Sequence, residues 1–528
     1  MRNFQLPGRS PVLATQGMAA TSHPLATNTA LKVLQGGGNA VDAAIAASAV
    51  LCVVEPQMTG IGGDCFAIVH EPDGQMYALN GSGRAAAGAH FAWYQERGIA
   101  DLKELPAHTV TVPGALKAWD TLLERFGSLD FTSLFVDAIH YAESGFPVAP
   151  RVAHDWATLV EHLTKNKAAS TQLLRHGSAP ETGDIYKLPG LAETLKRIAK
   201  NGIDVFYTGS IAAEIACAVQ NAGGFLNEED IAAVSADWVE VISTGYNGFD
   251  VHEIPPNGQG ITALVLLELL QHLQASDQGA HSAQRVHMEI ESARLAYSVR
   301  DAYVGDADTM RARVEHMLSR QYVQSLAASF DPEKRNPDIS LPRLPDADTI
   351  YLTVVDRDLR AVSFINSLYS GFGSGIVTED SGICLQNRGA CFSLIEGHDN
   401  VIGPSKRPMH TIIPGMVSKN GKLAWSFGVM GGAYQPMGHA HVLTNMIDYG
   451  LNPQEALDHG RVFWGADGVL DLETGISRQV SDGLAARGHE VRLAGMPLGG
   501  GQIIGIDHDR GIMIGASDPR KDGAAAGY

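Results

Sequence analysis

The dipeptide Asp348-Thr349 could carry nucleophilic chemistry, because it stands where a polar, proline-broken stretch gives way to a β-branched run. A threonine hydroxyl can attack the carbonyl of the residue before it and shift the acyl group from nitrogen to oxygen, after which water releases the upstream chain. Thr349 would then be a chain start whose α-amine, with a pKa of roughly 7.7–8.0, accepts the hydroxyl proton near neutral pH. The alternative is a threonine that merely opens a strand.

No common catalytic or metal-binding signature competes with this hypothesis. The chain has no GxSxG, GxxxxGK[ST] or HExxH motif and no GxGxxG between a strand and a helix. Its five cysteines form no CxxC pair, so the usual zinc and redox motifs are absent. We therefore expect neither a metal nor an organic cofactor.

The elements that must position Thr349 follow it directly. Residues 349–356 and 361–369 are rich in β-branched and aromatic residues and are joined by a short polar turn, which predicts a hairpin. Further strands are predicted at 423–428 and 501–507. The polar segment 330–348 before the hairpin is expected to be exposed and open to cleavage.

Helices are predicted both before and after this hairpin. An Ala-rich helix is expected to begin after an Asn39 cap and to end before Pro56, and a second helix should span 284–303. Shorter helices are expected at 438–449 and 453–459. Strands mixed with helices in this way predict a layered α/β body.

Composition limits the class of protein and of partner. The 528 residues include 39 Lys+Arg and 58 Asp+Glu, for a formal net charge of −19. This excess of acid argues against nucleic-acid and anionic-membrane partners, which need basic patches. The N-terminus has no apolar signal-like core and no run approaches the roughly 20 apolar residues of a membrane span. We therefore expect a cytoplasmic protein.

The motifs around the hairpin resemble those of the γ-glutamyltransferase family, and they run in the family's order over nearly the whole chain. They are Gly36-Gly-Gly-Asn-Ala-Val-Asp-Ala-Ala, Thr59-Gly-Ile-Gly-Gly-Asp, Val112-Pro-Gly, the run from Thr349, Phe372-Gly-Ser-Gly-Ile-Val, Ser381-Gly-Ile-Cys-Leu-Gln-Asn, Gly403-Pro-Ser-Lys-Arg-Pro, Gly431-Gly and Asp518-Pro-Arg-Lys-Asp-Gly-Ala-Ala-Ala-Gly-Tyr. The resemblance implies an α/β fold, the αββα sandwich of N-terminal-nucleophile hydrolases. It also implies a precursor that cleaves itself between Asp348 and Thr349 into subunits 1–348 and 349–528. These would stay together as a heterodimer, with further dimerisation left open.

The resemblance also assigns roles to individual residues. Thr349 matches the nucleophile, and Ser367 matches a second hydroxyl that bonds to the nucleophile's amine or hydroxyl. Gly431 and Gly432 match the pair whose backbone N–H groups hold the oxyanion, a role that suits glycine because its backbone can come close. Arg84 falls where the family grips a substrate carboxylate.

The sequence departs from the transferase pattern where a γ-glutamyl α-amino group would bind. Arg388 stands where a neutral or acidic residue is expected, and Cys391 replaces an expected Asp. The family's paired serines are His410 and Thr411 here, and Tyr369 fills the position of a polar amide. An arginine repels an ammonium group, so these changes favour an acyl group with negative charge and no amine nearby.

We therefore expect an amidohydrolase for a small anionic amide, with oxamate as the preferred substrate, oxalate and ammonia as products, and Arg84 and Arg388 as the residues that bind its charge. Arg388 could instead form a structural salt bridge with Glu379 or Asp380. The short segment 392–403 predicts a reduced lid, which would also suit an acylase for larger glutaryl or cephalosporin side chains. Two further hypotheses compete with this one: a γ-glutamyl hydrolase or transferase acting on glutathione-type compounds, and an uncleaved binding protein.

Overall fold

The computed structural model describes residues 8–339, 341 and 348–528. Residues 340 and 342–347 of the predicted polar segment lie outside the described residues, as does the side chain of Asp348. The division into 1–348 and 349–528 stays a prediction.

In the described residues, two antiparallel sheets of seven strands each pack face to face. The first sheet has the spatial order Val12–Ala14, Ile512–Ser517, Gly500–Asp507, Lys422–Met430, Gly415–Lys419, Phe249–Glu253, Ile242–Tyr246. The second has the order Ala524–Gly527, Met18–Thr21, Asp348–Val355, Ala361–Tyr369, Asp64–His70, Met76–Gly81, Asp237–Val239. Small sheets are formed by Val462–Trp464, Leu470–Leu472 and Val491–Leu493, and by Phe146–Pro147 and Ile185–Tyr186.

Helices cover the outer face of each sheet, so the fold is the predicted αββα sandwich. The helices of the core outside the second sheet are Pro24–Gln35, Ala40–Val54, Ala115–Phe126, Phe131–Leu134, Val136–Ser144, Pro150–Thr158, Val160–Thr164, Lys167–Leu173, Pro189–Asn201, Asp204–Tyr207, Ser210–Asn221 and Glu228–Ala232. Those of the core outside the first sheet are Gly260–His272, Ala283–Tyr303, Val314–Met317, Arg320–Ala327, Gln435–Ile447, Pro453–Asp458 and Arg478–Ala486. In the described ranges, no helix is long and apolar enough to cross a membrane.

Local sequence signals set the boundaries of the principal helices. The Ala-rich helix Ala40–Val54 begins at an Asn39 capping box, in which Asn39 and Asp42 bond to each other's backbone N–H groups. Every residue of this helix is buried, because it lies between the second sheet and the surrounding helices. The predicted long helix spans Ala283–Tyr303, and its N-cap is Ser282. Both predictions are confirmed.

The predicted hairpin is confirmed as strands Asp348–Val355 and Ala361–Tyr369. Side chains alternate along the first strand, since Ile350, Leu352 and Val354 face the helices while Tyr351 and Val355 face the other sheet. Thr349 shares the parity of Tyr351, which directs it toward the space between the sheets. The predicted strands at 423–428 and 501–507 are also present.

Candidate active site

The residues of interest meet at one edge of the second sheet. The strand that carries Thr349 begins at this edge, and the strand Ala361–Tyr369 ends there. Asp64 opens the next strand and pairs directly with Ser367 in the antiparallel ladder. The glycine turn before Asp64 packs so closely that a Cβ on Gly63 would overlap the Ser367 carbonyl. Glycine is therefore required for the turn to lie against this strand.

Thr349 and Ser367 form the central hydroxyl pair. Their Oγ atoms lie 3.1 Å apart, and both side chains are fully buried. The Tyr369 N–H donates to Ser367 Oγ over 2.8 Å. Tyr369 has a φ of +82°, a backbone conformation that costs a residue with a side chain about 1–3 kcal/mol. Tyr369 therefore donates its N–H to Ser367 from a backbone conformation that is unfavourable for a residue with a side chain.

The Gly431-Gly432 turn lies across the sandwich from Thr349. Thr353 Oγ1 contacts Ser426 Oγ at 2.7 Å, and a Cβ on Gly428 would overlap the Tyr351 ring. Thr353 therefore faces Ser426, and Tyr351 faces Gly428. Continuing by two residues along each strand places Thr349 opposite Met430, where the facing strand ends.

Glycine is required at Gly431, because its φ is +113° and a Cβ would lie 2.9 Å from Gly499 Cα. The turn opens the short helix Gly432–Tyr434. N–H groups at a helix start lack acceptors within their own helix and can bind an anion.

Gln259 holds the glycine turn from behind. Its Nε2 donates to the Gly432 carbonyl over 2.9 Å and to the Thr411 carbonyl over 2.6 Å. Its Oε1 accepts from Arg300 Nη1 at 3.0 Å. Gln259 is fully buried, so all three contacts are made away from solvent and fix the turn relative to Thr411.

Arg388 is buried beside the hydroxyl pair, with 0% of its surface exposed. Its Nη1 donates to Thr411 Oγ1 over 2.7 Å and its Nη2 to Ser367 Oγ over 3.4 Å, while the guanidinium lies 4.3 Å from the centre of the Tyr369 ring. Its Nε is buried without a hydrogen-bond partner. Among the residues that the structure describes, Arg388 has no carboxylate at ion-pairing distance, and the alternative salt bridge with Glu379 or Asp380 is not formed.

His410 and Asp64 form a second buried polar pair. His410 Nε2 lies 3.1 Å from Asp64 Oδ2, and its Nδ1 accepts from the Ile412 N–H. Burial, and then the charge of Arg388, lower the pKa of His410 to about 3. The ring is therefore neutral at physiological pH and donates to Asp64.

Asp64 also ties together the segments around the site. Its Oδ1 accepts from Gly83 N at 2.9 Å, Gly114 N at 3.2 Å and Gln386 Nε2 at 2.8 Å. Along the chain, Gly83 precedes Arg84, Gly114 precedes the helix Ala115–Phe126, and Gln386 lies two residues before Arg388.

The structure separates Arg84 from the hydroxyl pair. Its Nη1 lies 3.4 Å from Asp306 Oδ2 and 3.1 Å from the Ser405 carbonyl oxygen, and 33% of its side chain is exposed. No contact joins it to Thr349 or Ser367 in the described part of the chain. Arg388, not Arg84, is the arginine beside the hydroxyl pair.

The lining of a cavity of about 590 Å³ includes Cys391 and Phe392, which follow Arg388 closely in the chain, but it does not include Thr349, Ser367 or Arg388. Cys391 lines it and lies 4.0 Å from Arg388 Nη1. Arg300, which holds Gln259, lines another wall, and Phe392 and Ile395 from the short segment predicted as a reduced lid add apolar surface. The cavity is therefore adjacent to Cys391, which contacts Arg388, and to Arg300, which bonds to Gln259 behind the glycine turn.

Sequence reasoning missed Asp64, Gln259 and Arg300. Asp64 ends the motif Thr59-Gly-Ile-Gly-Gly-Asp, so the family resemblance points to its position but assigns it no role. Gln259 and Arg300 gave no comparable signal, because their importance comes from contacts with Gly432 and with each other.

Known proteins resemble this chain over its full length. The family model described as gamma-glutamyltranspeptidase matches residues 26–528. The glutathione hydrolase-like YwrD proenzyme of Bacillus subtilis is 35% identical over 98% of this chain and 99% of its own length. The oxamate amidohydrolase proenzyme of Klebsiella pneumoniae is 34% identical over 98% of this chain and 99% of its own length. The crystal structure of a cephalosporin acylase from Bacillus halodurans is 37% identical, with a TM-score of 0.92 over 100% of this chain and 99% of that chain.

Proposed function

Because the chain belongs to the gamma-glutamyltranspeptidase family and is an amidohydrolase with the N-terminal-nucleophile hydrolase fold, we propose that it is a proenzyme that cleaves itself before Thr349. Two relatives that match it nearly end to end are named as proenzymes. The contact between Thr349 and Ser367 supports the same proposal, since a buried hydroxyl pair lies at the start of the strand.

Self-cleavage proceeds by an N-to-O acyl shift. Thr349 Oγ1 adds to the Asp348 carbonyl carbon, the peptide C–N bond breaks, and the hydroxyl proton ends on the released amine. Water then hydrolyses the ester, which leaves a carboxylate on Asp348 and a free hydroxyl and α-amine on Thr349. The products are the subunits 1–348 and 349–528, which stay associated through the shared second sheet.

Turnover uses the same hydroxyl. Thr349 Oγ1 attacks the substrate amide carbon while the new α-amine takes its proton, and the Gly431 and Gly432 N–H groups stabilise the oxyanion. The amine returns the proton to the leaving nitrogen as the amide C–N bond breaks. Water hydrolyses the acyl-threonine ester and regenerates the enzyme, with Ser367 holding the hydroxyl in place.

The substrate is a small anionic amide, and oxamate is our preferred example. The observation that carries this choice is the fully buried guanidinium of Arg388, which has no carboxylate partner among the described residues. A buried charge is costly unless it is paired, so the site is suited to a substrate carboxylate. Thr411 and Tyr369 orient the guanidinium, and His410 adds no competing positive charge.

The cavity of about 590 Å³ favours a second candidate, an acylase for larger anionic side chains of the glutaryl type. Phe392 and Ile395 add apolar surface to its lining, and one similar solved structure is a cephalosporin acylase. A γ-glutamyl substrate suits the site less well, because its ammonium group would meet Arg388. Further dimerisation and a cytoplasmic location stay predictions.

The first test concerns Thr349. We expect the Thr349→Ala variant to remain one full-length chain and to have no amidase activity, because the nucleophile of both reactions is lost. Denaturing gels and N-terminal sequencing of the purified protein measure the cleavage. Thr353→Ala is the matched control, since it removes a buried hydroxyl from the same face of the strand. Wild-type protein that hydrolyses amides while remaining uncleaved would refute the proposal.

The second test identifies the substrate. Ammonia release from oxamate is compared with the release of amine from a glutaryl anilide and from a γ-glutamyl anilide. We expect the two substrates without an ammonium group to react faster than the γ-glutamyl compound. Preference for the γ-glutamyl compound would contradict the proposed role of Arg388.

A further inference from the structure

Two buried side chains, His439 and Glu253, are bonded in series to the strand that leads into the glycine turn. The Val429 N–H donates to His439 Nε2 over 3.2 Å. His439 Nδ1 lies 2.6 Å from Glu253 Oε1, and both side chains are 0% exposed. Because Nε2 accepts, the ring proton is on Nδ1 and is donated to Glu253. The carboxyl group therefore fixes the tautomer that can bind the strand.

The bond to Val429 lies where the first sheet loses one of its strands. In the described ladder, the strand Gly415–Lys419 begins opposite Phe427, two residues before Val429. Val429 is buried, and a buried backbone N–H without an acceptor is costly. The His439 ring therefore provides an acceptor at a position that lies beyond the start of the neighbouring strand.

The same bond spans the glycine turn. Val429 lies two residues before the turn, whereas His439 belongs to the helix Gln435–Ile447 that follows it. The helix and the strand lie so close together that a Cβ on Gly438 would be 2.8 Å from Val429 Cγ1. The hydrogen bond thus joins the strand before the turn to the helix after it, and it limits how far the turn can move.

We infer that His439 and Glu253 are positioning residues for amide hydrolysis, which hold the N–H groups of the glycine turn in place through the Val429 N–H. The inference rests on the proposed function and goes beyond it, because neither side chain belongs to the proposed catalytic or binding residues. Donors stabilise an oxyanion best when they are already fixed where its charge develops. A loosened turn should therefore lower kcat, while substrate binding at Arg388 changes little.

The test compares two amide side chains that replace different atoms of the His439 ring. In His439→Gln, the longer side chain places its amide near the position of Nε2, so its oxygen can still accept from Val429. In His439→Asn, the shorter side chain can reach Glu253 but leaves the Val429 N–H without its acceptor. Both variants bury a neutral amide, so the comparison is matched in polarity.

His441→Asn is the matched control, because His441 forms a second buried pair with a carboxylate from the same helix. Its Nδ1 lies 3.1 Å from Glu289 Oε1 and its Nε2 lies 3.2 Å from Asn445 Nδ2. Its ring therefore bonds to groups outside the strand. Glu253→Met, which removes the acceptor of His439 Nδ1, is the second variant if His439→Asn does not fold, and it should also lower kcat.

We expect His439→Asn to lower kcat about tenfold or more and His439→Gln to stay within about threefold of wild type. The control should match wild type, and KM should be the same in all variants. Rates are expressed per cleaved chain. In the uncleaved Thr349→Ala background, hydrogen exchange in 429–434 should be faster for His439→Asn than for His439→Gln, which tests a variant that does not cleave.

Equal kcat and equal exchange in the two His439 variants would overturn the inference, as would the same losses in the control. Faster exchange with unchanged kcat would also overturn it, because the position of the turn would then not govern turnover. Wild-type protein without amidase activity would instead refute the proposed function.

Discussion

Arg388 and Asp64 are side chains of opposite charge buried at the same edge of the second sheet, and they differ in their hydrogen-bond partners. Asp64 accepts hydrogen bonds from two backbone N–H groups and from the side chains of Gln386 and His410. Arg388 has hydroxyl groups and an aromatic face around it, with no carboxylate at ion-pairing distance among the side chains that the structure describes. The buried anion is therefore solvated by the protein, whereas the buried cation is suited to an anionic ligand.

Replacing Arg388 with Gln should raise the KM for an anionic amide about ten- to hundredfold, because a hydrogen bond to a charged group contributes about 1.5–3 kcal/mol. The KM for a neutral amide of the same size should change little. Steady-state kinetics with both substrates measure the effect.

Arg84→Gln is the matched control for that substitution. Its side chain is already bound to Asp306 and Ser405, so its KM for the anionic amide should change less. A larger effect at Arg84 than at Arg388 would show that Arg84 binds the substrate carboxylate, which is the role that the family resemblance implies for it.

At the scale of elements, the glycine turn depends on supports from distant parts of the chain. Gln259 precedes the helix Gly260–His272, and Arg300 and Tyr297 come from the helix Ala283–Tyr303. Their contacts converge on the carbonyls of Gly432 and Ala433. The turn can therefore keep its N–H groups fixed although glycine itself is flexible.

Gln259→Leu should lower kcat about ten- to hundredfold, because an unsatisfied buried polar group costs about 1–3 kcal/mol and the turn would shift to relieve it. The KM should change far less, since the Gln259 side chain bonds to the Gly432 and Thr411 carbonyls and to Arg300, which lie behind the turn.

The matched control is Gln454→Leu. Gln454 is equally buried and also bridges a side chain and a backbone carbonyl, those of Asp458 and Ser517. Full kinetic curves and melting temperatures are measured for both variants. Equal losses of kcat in the two variants, at equal stability, would exclude a positioning role for Gln259.

At the scale of the whole molecule, the αββα sandwich buries several neutral histidines. Burial lowers the pKa of His23 to about 4, and burial with nearby positive charge lowers that of His410 to about 3. These rings gain a proton on unfolding once the pH is below their ordinary value near 6.5. The unfolded state then binds more protons, so the free energy of unfolding must fall as the pH falls from about 6.5 toward 3.

His410 alone should reduce the free energy of unfolding by about 2 kcal/mol between pH 7 and pH 5. The variant His410→Gln, whose amide can still donate to Asp64, should lose that part of the pH dependence. Denaturant titrations in the uncleaved Thr349→Ala background measure it. Identical slopes for wild type and His410→Gln would contradict the argument.

The sequence by itself determined the local structure around the nucleophile. β-Branched residues predicted the hairpin after Asp348, and the Asn39 cap and Pro56 correctly bounded the buried helix Ala40–Val54. The αββα sandwich was implied by the resemblance of the ordered motifs to the γ-glutamyltransferase family. The hairpin and the helix could be predicted because they depend on neighbouring residues within a few positions.

Only the tertiary structure determined which charged and polar side chains contact each other. It paired Arg84 with Asp306, left Arg388 without a carboxylate in the described part of the chain, and brought Gln259 to the Gly431-Gly432 turn. Such contacts join residues tens to hundreds of positions apart, and they depend on how two sheets align at one edge. Local propensity carries no information on that alignment, because it follows from the packing of the whole sandwich.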